Sequence, residues 1–377
     1  MIDLVAGLAA VAWLGLLVAR DRFWHCDQVL DEGAPATACD ILAIVPARDE
    51  AALIEASLAS LLAQDYAGRL DVVVVDDGSL DDTAARAAAL PVPDDGRGLH
   101  VHAALPPPSG WSGKVAAQRA GLAYANATGL EARWLWLTDA DIVHAPNTLA
   151  RLVATAERHR AAMVSVMAQL ATTRPVERWL VPVFVWFFQL LYPFKAVNDP
   201  RRRVAAAAGG CMLIERAALE RAGGFEAIRA ELIDDVALAR AVKASGASIR
   251  LVLAHGSRSR RAYDFAAFWT MVRRTAFTEL RHSWARLAAA LAGLGLLFVV
   301  PPIALVAGGD GARAAALVAL AAMAVSVRPI LRWYGLGAWR AVLWPPAAVA
   351  YMAMTLHSAL AHARGRRAHW RGRLYRS

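Results

Sequence analysis

Two aspartates lie one residue apart directly after an apolar run. The segment from Leu135 to Ile142 reads LWLTDADI, and Asp139 and Asp141 follow residues that are typical of a buried β-strand. Acids at a strand end can hold a divalent cation, accept hydrogen bonds from a nucleoside, or act as a general base. Solvated loop acids show the same spacing, so this pair indicates a site only if other motifs accompany it.

Short apolar runs recur along the chain, and helix-like amphipathic stretches separate the first four of them. The runs lie at 41–45, 72–75, 100–104, 134–137 and 163–167. This alternation predicts βαβ units and an α/β fold with a mostly parallel sheet, covered on both faces. Ligands of such sheets bind outside the carboxyl ends of the strands, so the residues that follow each run are the informative ones.

Acidic and basic residues follow the first two runs as well. PARDE (46–50) comes after the first run and DDGS (76–79) after the second, and TDAD (138–141) follows the fourth. In this order the motifs resemble those of the inverting family 2 glycosyltransferases, which have the GT-A fold. The resemblance covers roughly residues 41 to 283.

The resemblance implies a nucleotide pocket and a metal site. Its nucleotide-binding residues would be Pro46, Arg48, Asp49, Glu50, Asp76, Asp77, Lys114 and Asp139. Lys114 ends a Gly-Trp-Ser-Gly-Lys segment ahead of a helix, where a cation and backbone N–H groups both favour a diphosphate. Asp141 would bind Mg²⁺ or Mn²⁺ directly, and Asp139 would be shared between ribose and metal.

Later motifs supply the candidates for sugar binding and catalysis. Gly209 and Gly210 lie in an AAAAGGCM segment where small residues let backbone approach a donor sugar or acceptor, although tight packing explains Gly210 equally well. The pair Asp234 and Asp235 opens a predicted helix. By the resemblance Asp235 is the catalytic base, with Asp234 in place of the family's Glu; helix capping is the alternative for both.

One family motif is missing. The processive members carry Gln-x-x-Arg-Trp after the base, whereas the segment 268–275 here offers only Arg273 and Arg274. This difference argues against a polymer synthase and leaves the two arginines as diphosphate contacts or as solvated or lipid-facing charges.

Several oily segments predict membrane attachment, since 58% of the 377 residues are hydrophobic. The run 2–19 approaches the length that crosses a core of about 30 Å. Arginines follow it, which favours an uncleaved signal anchor (1–22) with its C-terminal side in the cytoplasm over the buried first helix of a globular domain. Apolar stretches at 287–307, 314–327 and 341–361 predict a C-terminal membrane domain (284–363).

The run WLVPVFVWFFQLLYPF (179–194) lies between the Asp-x-Asp and the predicted base. A crossing there would separate Asp141 from Asp235, so we expect an interfacial or re-entrant helix, or a helix buried in the soluble core. The glycosyltransferase domain would then span 23–283 on the cytoplasmic side of a bacterial inner membrane, with a multi-pass topology. The basic tail (364–377) would end outside if all C-terminal stretches cross, against the positive-inside tendency.

The charge and the cysteine content limit which classes of partner we expect for this protein. The formal net charge of +9 comes from 41 basic and 32 acidic residues. A basic charge of this kind suits binding to anionic lipid headgroups. Aromatic and basic residues do not interleave in the way that is typical of nucleic-acid-binding surfaces. The three cysteines show no metal-ligand spacing. We therefore predict a nucleotide-sugar donor, a lipid acceptor and a membrane as partners, and no nucleic acid.

The predicted activity is transfer of a sugar from a nucleoside diphosphate donor to a lipid by a single displacement. The segments GWSGK, FQLLYPFKAVN (188–198), AAAAGGC and LIDD look like the bacterial hopanoid biosynthesis-associated branch of the family, which implies a hopanoid or other polyisoprenoid-type acceptor. The alternative is a non-catalytic nucleotide-binding scaffold of a lipid-synthesis complex. A nucleotidyltransferase is disfavoured because no glycine-rich pyrophosphate loop follows the first run.

Overall fold

Strands and helices alternate through the middle of the chain in the computed structural model, which describes residues 1–365, 369–370 and 373–374. The chain divides into two units. The helical unit consists of Met1–Asp27, Ala171–Pro193 and Ala262–Ala368, and the sheet unit consists of Gln28–Leu170, Phe194–Arg261 and His369–Ser377. The domain boundaries that the sequence predicts after residues 22, 283 and 363 differ from the bounds of these units and stay predictions.

An eight-stranded sheet forms the centre of the sheet unit. Its strands are β1 Ile41–Ala47, β2 Leu70–Asp76, β3 Arg97–Ala103, β4 Trp134–Thr138, β5 Ile142–His144, β6 Met163–Gln169, β7 Cys211–Glu215 and β8 Ile249–Ser259. They are ordered β3-β2-β1-β4-β7-β6-β8-β5. Two further short strands, β9 His369–Trp370 and β10 Arg373–Leu374, pair antiparallel.

The sheet is mixed: four of its seven strand pairings are parallel, as the prediction of a mostly parallel sheet requires, and three are antiparallel. β1 pairs parallel with β2 and β4, and β2 with β3, as the βαβ pattern predicts. β7, however, runs antiparallel between β4 and β6, and β5 runs antiparallel to β8. These reversals escaped prediction because β5 has three residues and the short β7 adjoins a run of alanine and glycine.

Helices flank the sheet. Those of the sheet unit are α2 Ile54–Leu62, α3 Thr83–Ala88, α4 Gly113–Ala127, α5 Thr148–Arg158, α7 Phe194–Asn198, α8 Arg216–Arg221 and α9 Asp234–Ala244. A 3₁₀ turn spans Phe225–Ile228. Close approach of α4 to the sheet requires Gly121, because a Cβ there would lie 2.8 Å from side-chain atoms of Ile44 and Val75. The aliphatic residues of β1 and β2 are almost fully buried and form the core.

The helical unit has seven helices within the described residues. They are α1 Ile2–Val18, α6 Pro175–Leu191, α10 Phe265–Glu279, α11 Trp284–Leu294, α12 Val300–Ala307, α13 Asp310–Trp333 and α14 Trp344–Ala363. A π-helical turn, Gly295–Val299, joins α11 to α12. Two 3₁₀ segments, Arg20–His25 and Ala338–Leu343, complete the unit.

Two stretches of the helical unit have the length and composition to cross a bilayer. These are Trp284–Ala307, with a mean hydropathy of 2.3 over its best window, and Asp310–Trp333, with 2.0. They contain the first two of the predicted C-terminal spans. α1 is a shorter apolar helix, and the third predicted span became α14 and the turn before it. Two candidate spans are thus supported, and the anchor and the multi-pass topology stay predictions.

α1 packs against α13 through small residues. Ala6, Ala312 and Ala316 are completely buried in one cluster, which lets the two helix backbones approach closely. Trp13 donates its indole N–H to the carbonyl of Leu297 at 2.8 Å. Several large apolar side chains of α1 are exposed, such as Val11 at 68%. The outward face of α1 is therefore apolar, as a lipid-facing helix requires.

Residues 179–191 of the aromatic run form most of α6 in the helical unit, whereas Phe194 begins α7 of the sheet unit. Trp186 is fully buried and donates to Ser326 Oγ at 3.0 Å, and Trp179 donates to the carbonyl of Leu343 at 3.0 Å. The hydroxyl of Tyr351 donates to the carbonyl of Leu180 at 3.0 Å. α6 is thus fastened to α13 and α14. The predicted basic tail lies mostly outside the described residues.

Candidate active site

The ends of three strands carry the predicted nucleotide and metal residues. In the parallel register Ala47 is opposite Asp76, and Ile44 is opposite Leu137, so the carboxyl ends of β1, β2 and β4 share one edge of the sheet. Pro46 lies inside β1, opposite Val75. The predicted edge is therefore present.

Arg48 lies against Asp77 at this edge. Its Nη1 donates to the Asp77 carbonyl at 3.0 Å and lies 4.0 Å from Asp77 Oδ2, while its Nε lies 3.9 Å from Asp49 Oδ2. The side chain of Asp77 is almost fully buried. A buried carboxylate is stabilised by such a cationic neighbour, so Arg48 compensates for the burial of Asp77.

Asp49 and Asp76 hold the loop that follows β2. Asp49 adopts a left-handed backbone conformation with φ of 51°, which aspartate tolerates better than most residues, and its Oδ1 accepts the N–H of Leu80 at 2.8 Å. Asp76 Oδ1 accepts the N–H of Ser79 at 3.1 Å and also the Ser79 hydroxyl. These two predicted nucleotide contacts, Asp49 and Asp76, therefore hold the loop after β2 in place.

Lys114 lies in the first turn of α4, as the Gly-Lys segment predicts. Ser112 caps the helix by accepting the N–H of Val115 at 3.4 Å. The ammonium Nζ lies 2.6 Å from Asp139 Oδ1 and 3.8 Å from Asp234 Oδ2. Burial lowers the pKa of Lys114, but the carboxylates of Asp139, Asp234 and Asp235 outweigh it and raise the pKa overall. The lysine is therefore a fixed cation between the Asp-x-Asp and the start of α9.

The turn after β4 presents Asp139 and Asp141 with different environments. The side chain of Asp139 is 35% exposed, whereas that of Asp141 is 11% exposed. Asp141 Oδ2 accepts hydrogen bonds from Ser259 Oγ at 2.9 Å and Arg261 Nε at 3.1 Å. Asp141 is thus the better oriented of the two carboxylates.

A neutral histidine supports the same turn. The Thr138 hydroxyl donates to the carbonyl of Gly210 at 2.9 Å, so it must accept its 2.9 Å hydrogen bond from His144 Nε2. Nδ1 of His144 lies 3.0 Å from Ser257 Oγ. Burial lowers the pKa of His144 to about 3. The imidazole is therefore uncharged at neutral pH and ties β4 and β5 to β8.

Two backbone amides hold the predicted base, Asp235. Its Oδ2 accepts the N–H of Gly209 at 2.7 Å, and its Oδ1 accepts the N–H of Val236 at 2.8 Å. Burial and the adjacent charge of Asp234 raise the pKa of Asp235 to about 7. A carboxylate with that pKa can take a proton near neutral pH, which is the property required of a general base.

Neither aspartate is the N-cap residue of α9, although Asp235 accepts the N–H of Val236 in the first turn. The helix begins at Asp234, its N-cap residue is Ile233, and no side chain caps it. The Asp234 carboxylate instead lies beside Lys114. Asp234 therefore contributes charge to the site.

Gly209 and Gly210 have different neighbours. A Cβ on Gly209 would lie 3.1 Å from both Asp235 Oδ2 and Lys114 Nζ, so Gly209 borders the site directly. A Cβ on Gly210 would meet the side chain of Ile142 at 3.3 Å, which agrees with a packing role.

Part of the chain is similar to a known protein family. Residues 42–223 match the model of glycosyl transferase family 2. This stretch, slightly less than half of the chain, therefore resembles the family 2 glycosyltransferases. The match contains the β1, β2 and β4 ends and both glycines, and it stops before Asp235. No curated protein sequence matches the chain.

One solved structure with a TM-score above 0.5 shares the fold of this chain, and two further ones are similar at lower scores. A mannosyltransferase from Pyrobaculum calidifontis, solved with GDP-Man and Mn²⁺, is 20% identical with a TM-score of 0.55, over 94% of this chain and 99% of that one. TarS 1–349 from S. aureus with UDP-GlcNAc is 16% identical with a TM-score of 0.40, over 89% and 95%. Glucosyl-3-phosphoglycerate synthase from Mycobacterium tuberculosis, with Mn²⁺ and UDP, is 16% identical with a TM-score of 0.40, over 67% and 87%.

The sheet edge offers a donor set that fits a divalent cation. Asp139 and Asp141 provide hard carboxylate oxygens, which Mg²⁺ and Mn²⁺ prefer. Within the described residues no group of three or more His, Cys, Asp or Glu side chains is placed to hold an ion. Mg²⁺ is commonly held by one or two carboxylates together with substrate phosphates, and the pair suits that arrangement.

The sequence analysis did not identify Arg261 as a site residue, and its prediction for two other arginines stays untested. Arg261 follows β8 and binds Asp141 and Glu50, and only the basic character of the SRSRR segment could have suggested it. Arg273 and Arg274 lie on α10 of the helical unit. The described contacts of the sheet-edge site do not include them, so their role stays a prediction.

Proposed function

We propose that this protein is a metal-dependent, inverting glycosyltransferase that moves a sugar from a nucleoside diphosphate donor to a lipid. The observation that carries the proposal is the position of Lys114, whose ammonium lies between Asp139 of the Asp-x-Asp and Asp234 beside the base. A donor diphosphate bound at this lysine brings the anomeric carbon within reach of Asp235. The residues for metal binding, diphosphate binding and proton transfer would then all lie around the same donor sugar.

The strand-end residues support recognition of the nucleotide. Buried Asp77, paired with Arg48, and the loop held by Asp49 and Asp76 form a polar pocket of fixed shape. Carboxylates and backbone groups of this kind accept and donate hydrogen bonds to a base and a ribose. The mannosyltransferase of the same fold was solved with GDP-Man and Mn²⁺, and by analogy we assign a nucleotide-sugar donor here.

Asp235 performs the proton transfer in the proposed reaction. The acceptor hydroxyl gives its proton to Asp235 as its oxygen attacks the anomeric carbon, and the bond to the diphosphate breaks on the opposite side. This single displacement inverts the anomeric configuration. A divalent cation held by Asp139 and Asp141 supplies Lewis-acid stabilisation of the leaving diphosphate, and Lys114 adds a second positive charge.

Apolar helices support a lipid acceptor and a membrane location. Two stretches of the helical unit have the length and hydropathy of membrane spans, and α1 presents exposed apolar side chains. We infer an acceptor of the polyisoprenoid type, such as a hopanoid, used at the cytoplasmic face of a bacterial inner membrane. The multi-pass arrangement with an N-terminal anchor belongs to the same proposal.

A nucleotide-binding scaffold would need the pocket but no base. The raised pKa of Asp235 is unfavourable for folding at neutral pH, because burial penalises its charged form, and a scaffold would gain nothing from it. Perturbed carboxylates of this kind cluster at catalytic sites. The geometry therefore favours an enzyme.

The test is transfer by purified full-length protein in detergent. The protein is incubated with Mn²⁺ or Mg²⁺, membrane lipid extract and a panel of nucleotide sugars, and the lipid products are weighed by mass spectrometry. We expect a sugar-sized mass increase with one donor, inverted anomeric configuration by NMR, and loss of product of at least about 100-fold in Asp235→Asn. The exposed variant Asp82→Asn is the matched control. Nucleotide binding without any turnover would support the scaffold instead.

A further inference from the structure

Each carboxylate of the Asp-x-Asp has a cationic partner. Lys114 Nζ lies 2.6 Å from Asp139 Oδ1, and Arg261 Nε lies 3.1 Å from Asp141 Oδ2. The lysine belongs to the proposed donor site. Arg261 has no role in the mechanism above, although it binds the better oriented metal ligand.

Two carboxylates hold the guanidinium of Arg261 in place. While Nε contacts Asp141, Nη2 donates to Glu50 Oε1. Glu50 is buried at 8% exposure, and its own N–H donates to Thr83 Oγ1 at 2.8 Å. Because the guanidinium is planar and bonded on two sides, its position is fixed relative to both strand ends.

The backbone near Arg261 is fixed as well. β8 pairs with β5 so that Ser259 is opposite Ile142, and the N–H of Arg260 donates to the carbonyl of Asp141 at 2.8 Å. The Ser259 hydroxyl donates to the same Asp141 oxygen as Arg261 does, Oδ2, at 2.9 Å. Both of these side-chain donors bind Oδ2 rather than Oδ1. The carboxylate therefore keeps one oxygen for a cation while the other stays next to a positive charge.

A fixed guanidinium next to a metal ligand has a defined electrostatic effect. It neutralises part of the charge of Asp141 and repels a divalent ion, and this repulsion acts over a few ångströms in a partly buried site. A bound diphosphate reverses the balance, because its negative charges attract both the ion and the arginine and its oxygens complete the metal coordination.

We propose that Arg261 makes occupancy of the divalent-cation site depend on occupancy of the diphosphate site. This inference rests on the proposed function, because it takes the Asp-x-Asp as the metal site. The ion then binds weakly to the free protein and tightly once the nucleotide is present. Arg261 is a positioning residue, acting through Asp141 and the charge balance of the site.

The test measures Mn²⁺ binding without any turnover. Purified full-length protein is titrated with Mn²⁺ alone, and the free ion is followed by its EPR signal; the titration is repeated with a saturating nucleoside diphosphate. Arg261→Gln should bind Mn²⁺ alone about tenfold more tightly than the wild type, since a repelling charge is removed. The factor by which the nucleotide tightens Mn²⁺ binding should shrink by at least as much, because the two ligands are thermodynamically linked.

Two further variants separate charge from structure. Arg261→Lys keeps the charge and should remain within about threefold of the wild-type Mn²⁺ affinity, and exposed Arg260→Gln should not change it. If Arg261 only braces Asp141 and Glu50, Arg261→Gln will bind Mn²⁺ alone equally or more weakly, and that result overturns the inference. Asp141→Asn tests the metal site itself, separately from the role of Arg261. If this variant leaves Mn²⁺ binding intact, the metal site of the proposed function is wrong.

Discussion

The amide nitrogen of Gly209 donates a 2.7 Å hydrogen bond to Oδ2 of Asp235, so a residue two positions before β7 orients the proposed base. The carbonyl of the same glycine accepts from Lys114 Nζ at 3.4 Å. One peptide segment therefore contacts both the base and the cation of the diphosphate site. The segment is itself anchored, because Ser165 Oγ accepts the N–H of Ala208 at 2.8 Å.

A methyl group at Gly209 should disturb this arrangement. In Gly209→Ala the new Cβ would lie 3.1 Å from Asp235 Oδ2 and from Lys114 Nζ, which forces one of them to move by a few tenths of an ångström. We expect the turnover number to fall about 10- to 100-fold, since small misplacements of catalytic groups have large effects. Steady-state kinetics checks this. The control Gly15→Ala, where nothing lies within 4 Å of the new Cβ, should retain full activity.

The pH dependence of transfer should follow the ionisation of Asp235. Burial and the charge of Asp234 raise its pKa to about 7, and the base works only when deprotonated. The rate should therefore rise about tenfold per pH unit below pH 7 and level off above it. A pH profile of kcat/KM between pH 5 and pH 9 measures this. A flat profile from pH 5 to pH 8 would exclude Asp235 as the titrating base.

Replacing Asp234 with a neutral residue tests whether its charge raises the pKa of Asp235. The negative charge of Asp234 raises the pKa of Asp235, so Asp234→Asn should move the midpoint of the profile to lower pH. Asp82→Asn, which removes an exposed acid elsewhere in the sheet unit, should leave the midpoint in place. A midpoint that moves upward in Asp234→Asn would contradict this account.

The edge of the sheet could be predicted because its signal is local. Apolar runs followed at once by charged residues mark strands that end at a polar site, and β1, β2 and β4 all appear where those runs lie. Lys114 was found for the same reason, since a glycine-lysine pair ahead of an amphipathic helix is a local pattern. These parts of the site require no knowledge of long-range pairing.

Long-range pairing explains what was missed. Arg261 reaches Asp141 because β8 lies antiparallel to β5, and neither the direction of β5 nor its three-residue length can be read from a periodicity. The antiparallel β7 is hidden in the same way, in a short apolar run beside small residues. The hydrogen bonds of Asp49 to the loop at 79–80 also depend on packing between strand ends.

Lys114 should contribute to the binding of the diphosphate but not to the binding of the nucleoside. Its ammonium contacts Asp139 and Asp234, whereas Asp77 is paired with Arg48. Lys114→Met should weaken binding of the preferred nucleoside diphosphate about 10- to 100-fold and binding of its nucleoside less than about threefold, because a charge-assisted contact is lost only in the first case. Calorimetry measures both affinities in the presence of Mn²⁺.

The control for Lys114 lies on the same helix. Arg119→Met removes an exposed cation that pairs with Glu226 and lies over Trp111, and it should change neither affinity. An equal loss of nucleoside and nucleoside diphosphate binding in Lys114→Met would indicate that the variant distorts the whole pocket.

Lys243 should matter for stability, because it fastens the segment that leads to Gly209. Its ammonium, on α9, donates to the carbonyls of Val197, Asp199 and Val204 at 2.7 to 2.9 Å. In Lys243→Met these carbonyls lose a charged donor, and we expect a loss of about 1–3 kcal/mol in the free energy of unfolding.

A thermal unfolding scan at pH 7 in detergent tests the prediction for Lys243. The variant should unfold at a lower temperature than the wild type, while Arg221→Met, at an exposed position on α8, should unfold with the wild type. Since α9 also carries Asp235 at its other end, loosening the contacts of Lys243 should lower the turnover number as well. An unchanged unfolding temperature would show that water replaces the ammonium at these carbonyls without loss.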